Sequence, residues 1–231
     1  MKSVIALLLA LVSASVLAKE PRQFELSYRF TFNDQYVGNV TDRFKREGVR
    51  YQLTSEARPN GNLAMFLPML TLTSEGKLQA QRFVPLHYRQ MRSNAPGKVA
   101  SADFDWQKKV LTHQYKGSSQ QVELPEGTQD ALTQLYTVTL AGKLPQQLEF
   151  PVSNGRKLIR YRYEKLPGGR MDTPLGTFET VEYRRILDEP GENAISVWIA
   201  PALHHLPLRI RVKEEAGVFE QQLTRLNYQG T

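Results

Sequence analysis

The sequence predicts a mainly β protein, an antiparallel half-open barrel of about a dozen strands with one packed α-helix. Three observations predict it. Apolar and polar residues alternate in segment after segment, which is the period of a half-buried strand. Gly or Pro stands in most of the gaps, as at Pro96-Gly97, Gly168-Gly169, Pro190-Gly191 and Ala216-Gly217. One stretch alone, Thr128 to Ala141, changes to a helical period.

The chain opens MKSVIALLLALVSASVLAKE. Lys2, the apolar run Val4 to Val12 and the small or modest Val16-Leu17-Ala18 have the layout of a secretory signal peptide cleaved after Ala18. The apolar run is shorter than the roughly 20 residues a spanning helix needs. Residues 19–231 are then expected to form a single β-rich domain, free in the periplasm. Roughly 210 residues can bury the core of one domain. With no Cys, that core stands without disulfides, and thiol chemistry is excluded.

Phe24, Leu26, Tyr28, Phe30 and Phe32 alternate with polar residues and predict the first strand. Asn33-Asp34 turns the chain, a second strand runs to about Arg46, and Glu47-Gly48 leads into Val49, Tyr51 and Leu53. Strands follow at Leu72 to Gln81, Leu86 to Arg92, Val99 to Trp106 and Val110 to Tyr115. In the helical stretch Thr128 is placed to cap, Leu132, Leu135, Tyr136 and Thr139 share a face, and Gly142 ends it. Leu158 to Glu164, Thr177 to Ile186, Ile195 to Ile199, Leu208 to Lys213 and Phe219 to Tyr228 complete the set.

One segment breaks the alternation: from Leu63 to Leu70, LAMFLPML, there is no polar side chain. It is a buried connector plugging one end of the sheet, or a lid over a hydrophobic cavity with Leu63, Met65, Phe66 and Met69 as adaptable contacts. On either reading something covers it. The stripe Phe24, Leu26, Tyr28, Phe30, Phe32 forms core, and forms a ligand wall if the barrel leaves space its side chains do not fill.

The net charge of +7 is scattered, with no basic run, which argues against nucleic acid as a partner. Arg160 and Arg162 line one strand face and Arg209 and Arg211 another. If those strands are neighbours, they form a basic stripe for anionic headgroups. Asp103 and Asp105 share a face roughly 7 Å apart, but Lys108 and Lys109 follow at once, which reads as a neutralised surface. His204 and His205 would point to opposite faces of a strand, and His87 and His113 stand alone, so no metal-ligand spacing appears. No nucleophile elbow, zinc-protease or phosphate-loop motif occurs, and no cofactor is expected.

Several landmarks fall in order: Ser74-Glu75-Gly76, Pro85-Leu86-His87-Tyr88, Phe104-Asp105-Trp106, Leu124 to Asp130 (LPEGTQD), Thr173 to Phe178 (TPLGTF), Trp198-Ile199-Ala200 and Leu206-Pro207-Leu208-Arg209. Together they resemble the exported bacterial proteins grouped as domain of unknown function 3108, over nearly the whole mature chain. The resemblance implies no established activity and no catalytic residues. It implies an architecture similar to periplasmic lipoprotein carriers, an open half-barrel closed by helical elements around a greasy cavity. The expected function is therefore a non-catalytic carrier of a hydrophobic or amphiphilic envelope molecule, with at most peripheral membrane contact. A scaffold binding another envelope protein is the alternative. An envelope hydrolase, depending on Asp105 or His204, is the third reading.

Overall fold

The computed structural model describes residues 21–140 and 144–230. The expected signal peptide and its cleavage point lie outside them. Eight strands run in sequence order on one side: β1 (Pro21–Phe32), β2 (Gln35–Glu47), β3 (Arg50–Pro59), β4 (Leu70–Gln79), β5 (Arg82–Arg92), β6 (Ala100–Asp105), β7 (Val110–Tyr115) and β8 (Ser118–Glu123). On the other side come a two-residue strand β9 (Gln129–Asp130), then β10 (Gln147–Ser153), β11 (Leu158–Thr173), β12 (Gly176–Ile186), β13 (Ala194–Ala200), β14 (Leu206–Glu214) and β15 (Gly217–Gly230). Each group meanders, and antiparallel pairing of β1 with β15 joins them into one open sheet running β8 to β1, then β15 to β9. Among the described residues only β9 with β10 is parallel.

The sheet curls until its two wings touch. His113 Nε2 on β7 meets Ser153 Oγ on β10 at 2.9 Å, and Ser74 Oγ on β4 donates to Asp130 Oδ2 on β9 at 2.5 Å. The alternating stripe of β1 faces inward: Phe24, Leu26 and Tyr28 are buried. Phe24 stacks on Phe44 and Tyr136, with ring centroids 5.0 and 5.4 Å away. Tyr136 comes from the connection between the wings, so helical chain fills the barrel where strands alone would leave a void. A second apolar cluster, Tyr163, Tyr183, Ile195, Val197, Ile199 and Ile210, packs with Val138 of the same connection.

That connection differs from the expected helix of residues 128–141. Gln129 and Asp130 are strand, Thr133–Tyr136 form a tight 3-10 turn, and only Thr137–Leu140 are α-helical, with Ala141 and Gly142 outside the described residues. Asp130, not Thr128, caps the turn: its Oδ1 accepts from the backbone N–H of Leu132 at 2.9 Å and of Thr133 at 2.8 Å. The Thr128 hydroxyl donates instead to Pro125 O at 2.7 Å. Thr133, Thr137, Val138 and Thr139 lose rotamer freedom in a helix, so propensity does not extend it.

The gap expected at Gly168-Gly169 is a bulge inside β11, where the pairing with β12 shifts register between Pro167 and Gly169. A Cβ on Gly168 would lie 2.3 Å from Thr180 Oγ1, so only glycine lets the strands close there. The lengthened β11–β12 hairpin reaches past the end of β13, and its Met171 and Phe178 pack onto the main core.

Candidate functional site

The cleft of this molecule lies where the curled sheet fails to seal. β5 pairs with β6 only over His87–Gln90, opposite Asp103–Ala100, so the first half of β5 has no strand on that side. Pro85 sits in this half and has no N–H to donate. Two side chains take the place of strand hydrogen bonds: Trp106 Nε1 donates to Pro85 O at 2.7 Å and Gln129 Nε2 to Phe83 O at 3.1 Å. β10 forms the opposite wall. Between them is an open cleft of about 1070 Å³, the size range of small-molecule sites.

One part of its lining is apolar: Phe83, Val84, Leu86, Trp106, Leu148 and Phe150. Leu86 packs against neither apolar cluster, so it is free to contact a ligand. Lys77, Arg82, Asp103, Asp105 and Glu149 supply charge at the margin, where the His87 ring also lies. His87 Nδ1 meets Asp103 Oδ1 at 2.8 Å across the β5–β6 pair, and Arg160 reaches Glu149 at 2.6 Å. Asp105 accepts from the Lys108 backbone N–H at 2.9 Å, which holds its carboxyl below the usual carboxylate value. Asp103 and Asp105 thus lie on one face as expected, and that face borders the cleft. An apolar wall with charges at its margin suits a molecule that has both kinds of surface.

The residues expected to bind ligand lie elsewhere. Phe24, Leu26 and Tyr28 are sealed in the core, and the Tyr28 hydroxyl donates to Pro207 O at 3.1 Å. Phe30 and Phe32 are half-buried beside Phe219, 5.9 and 4.8 Å between centroids. None of the five lines the cleft. The apolar run Leu63 to Leu70 is neither plug nor lid. Its first part is a helical turn, Gly61–Met65, at the tip of the β3–β4 hairpin, with Met65 81% and Phe66 77% exposed. Leu63 is exposed as well, and Met69 is half-buried. The cleft is lined at the other end of these strands, around Gln79 to Arg82, and a strand such as β4 spans about 30 Å.

No basic stripe forms either, because β12 and β13 separate β11 from β14. Arg160 pairs with Glu149, Arg162 with Asp188, and Arg209 with Glu220, which Arg211 also approaches at 3.9 Å. His204 and His205 occupy left-handed backbone in a turn rather than a strand, and His204 stacks on Tyr228 at 3.8 Å. Among the described residues no cluster of three or more His, Asp or Glu is arranged to hold a metal.

The sequence reading missed two buried carboxyls that anchor the connection between the wings. Asp42 on β2 accepts from the Tyr136 hydroxyl. Asp130 accepts from Ser74, whose oxygen lies 2.9 Å from the Tyr51 hydroxyl. Burial raises the pKa of each from 3.8 to about 6, against the opposing pull of their hydroxyl partners. The other Asp42 oxygen is buried without a hydrogen bond, which a neutral carboxyl tolerates better than a carboxylate. These two acids tie the connection to the inner faces of β2, β3 and β4.

A family model for proteins of unknown function, DUF3108, matches residues 23–224. The chain belongs to the DUF3108 family. The match spans both wings, from β1 to β15, and so takes in the cleft and the connection between the wings. No curated protein matches the sequence. Among solved structures, this DUF3108 chain is similar to a β-barrel-like protein of domain of unknown function DUF1849 from Brucella abortus. The TM-score is 0.55 at 9% identity, over 92% of this chain and 100% of that one. That likeness is one of fold. An outer membrane lipoprotein-sorting protein domain from Vibrio parahaemolyticus matches with TM-score 0.29 at 9% identity, over 90% of this chain and 85% of that one, too distant to carry an argument.

Proposed function

We propose that this protein is a non-catalytic carrier, exported to the periplasm, that holds an amphiphilic envelope molecule in the seam cleft. The observation that carries the reading is the cleft itself: about 1070 Å³, with an apolar wall and a charged margin, left open by the interrupted pairing of β5 and β6. The apolar part of a ligand lies along Leu86, Trp106, Leu148 and Phe150, and its polar part meets the charged margin. Residues 19–231 act as the single domain.

Of the two tryptophans, Trp106 lines the cleft, whereas Trp198 lies on β13 beneath Arg209, 5.2 Å from its ring. Titration with a lysophospholipid is therefore expected to shift the emission of Trp106, and Trp106→Phe should abolish the shift while Trp198 still fluoresces. Leu86→Asp places a charge on the apolar wall and should weaken binding at least tenfold. Its thermal stability should stay close to that of the parent, because Leu86 belongs to neither core cluster. An unchanged spectrum, together with ligand-free protein in native mass spectrometry after isolation from periplasm, would overturn the reading.

The scaffold reading has one observation in its favour. Among the described residues β8, the outer edge of the sheet, pairs only with β7, and it is exposed for most of its length. Such an edge can accept an extended segment of a partner. In-cell cross-linking from Gln120 would then give one reproducible protein adduct, where a carrier gives none.

A further inference from the structure

We infer that the tip of the β3–β4 hairpin is an insertion loop that seats this protein on an anionic lipid surface. The inference stands whether or not the cleft holds a ligand. Leu63, Met65, Phe66 and Leu67 are all exposed at a convex tip. From Asn60 to Leu70 there is no charged side chain, so nothing ionic has to enter the bilayer. The turn also bonds part of its own backbone: Leu63 N–H donates to Asn60 O, and Phe66 and Leu67 N–H both donate to Leu63 O, at 2.8–3.0 Å. Those groups do not need water, which is what entry into lipid demands of a backbone.

Charge selects the occupant. Near the loop the chain places Arg58, Arg92 and Lys98, so the flank of the loop toward β5 is basic. Arg58 stands at the base of the loop on β3. Arg92 faces Leu70 across the β4–β5 pair, and the neighbouring β5–β6 turn adds Lys98 and is tied to the loop by Ser93 N–H to Met69 O at 3.0 Å. Arg58 pairs with Glu56, while Arg92 and Lys98 are exposed and enter no ion pair among the described residues. The other acids in the turns at this end, Asp34, Glu214 and Glu215 and the Asp188, Glu189 and Glu192 of the β12–β13 turn, all lie beyond β2, on the side of the sheet away from β4 and β5. An apolar tip with free cations beside it matches headgroup attraction followed by shallow insertion. An apolar groove on a protein would use the tip and leave the cations without a role.

Flotation with phosphatidylglycerol–phosphatidylethanolamine vesicles tests this, using the full chain as cells process it. The parent should float with these vesicles, less at high salt, and poorly with phosphatidylcholine alone. Met65→Ser with Phe66→Ser should reduce flotation at least tenfold, and Arg92→Ser with Lys98→Ser should weaken it selectively on anionic vesicles. Both pairs are exposed, so circular dichroism and melting temperature should match the parent, and all share its N-terminus, so the differences report on the loop. Phe66→Trp should shift to the blue on anionic vesicles only. Equal flotation of parent and Met65/Phe66 variant would overturn the proposal. So would a parent that does not float, or a tryptophan at position 66 that keeps its aqueous emission. Cross-linking of position 66 to a single protein, without vesicle affinity, would reassign the loop to protein docking and equally overturn it.

Discussion

Asp130→Ala is expected to destabilise the protein by about 3–5 kcal/mol, the sum of several buried groups losing their partner. One aspartate serves three donors. Its Oδ1 holds the N–H groups of Leu132 and Thr133, and its Oδ2 holds the Ser74 hydroxyl. Alanine leaves all three donors in a site that is fully closed to water. The Thr133 hydroxyl, which accepts from Asp130 N–H at 3.0 Å, cannot reach both amides in its place. A loss of this size is a large fraction of a typical folding free energy, and urea unfolding should show it as a lower midpoint at an unchanged slope. Asp130→Asn keeps an acceptor at the two amides and can donate to Ser74 Oγ, so its cost at neutral pH should stay under about 1 kcal/mol. Should alanine and asparagine behave alike, the cap would not be what holds the connection inside the barrel. The same comparison reaches the cleft, since Gln129, next in sequence, hydrogen-bonds to Phe83 O on its wall.

Strand periodicity made most of the fold legible. Phe24 to Phe32 alternate so strictly that β1, its inward face and its antiparallel neighbour were all readable, and Tyr28 and Leu26 are among the most deeply buried side chains. Besides β9, which was read as helix, two strands went unread for different reasons. β8, SSQQVE, is a polar edge with almost no apolar signal. β10 did carry one, in the alternation of Leu148, Phe150 and Val152, but Pro151 obscured it. The cleft was not legible at all, because its apolar lining comes from β5, β6, β10 and the turn after β6, and proximity among them arises only when the sheet curls. The charged stripe failed for the converse reason: Arg162 and Arg209 are close in pattern but three strand spacings apart, and their partners Asp188 and Glu220 are remote in sequence. The run Leu63 to Leu70 was conspicuous in the sequence, yet apolar composition gives no direction. A short tip between two edges of a hairpin has too little chain to fold back under the sheet, so its side chains stay outside.

Raising the pH from 4 to 7 should cost the protein the stability that two buried carboxyls contribute, against the behaviour of carboxylates held in ion pairs. Asp42 and Asp130 keep their protons in the folded chain up to about pH 6, whereas an ordinary aspartate releases its proton near 3.8. The stability each contributes is therefore fully present below pH 3.8, fades as the pH climbs to 6, and is gone above it. The size is about 3 kcal/mol for each carboxyl at most. His113, His204 and His205 act in the opposite sense. Burial lowers their pKa below 6.5, so they favour folding above that pH and lose that contribution as the pH falls. The decisive quantity is thus the difference between wild type and the Asp42→Asn, Asp130→Asn double variant, in which the histidine contributions cancel. Urea midpoints at pH 4, 5, 6 and 7 should show the variant gaining steadily on the wild type up to pH 6 and the difference staying constant beyond it. A difference that stays flat across this range would mean both carboxyls ionise inside the fold at their ordinary pKa. The hydroxyls of Tyr136 and Ser74 would then be compensating two buried negative charges, not hydrogen-bonding to neutral acids.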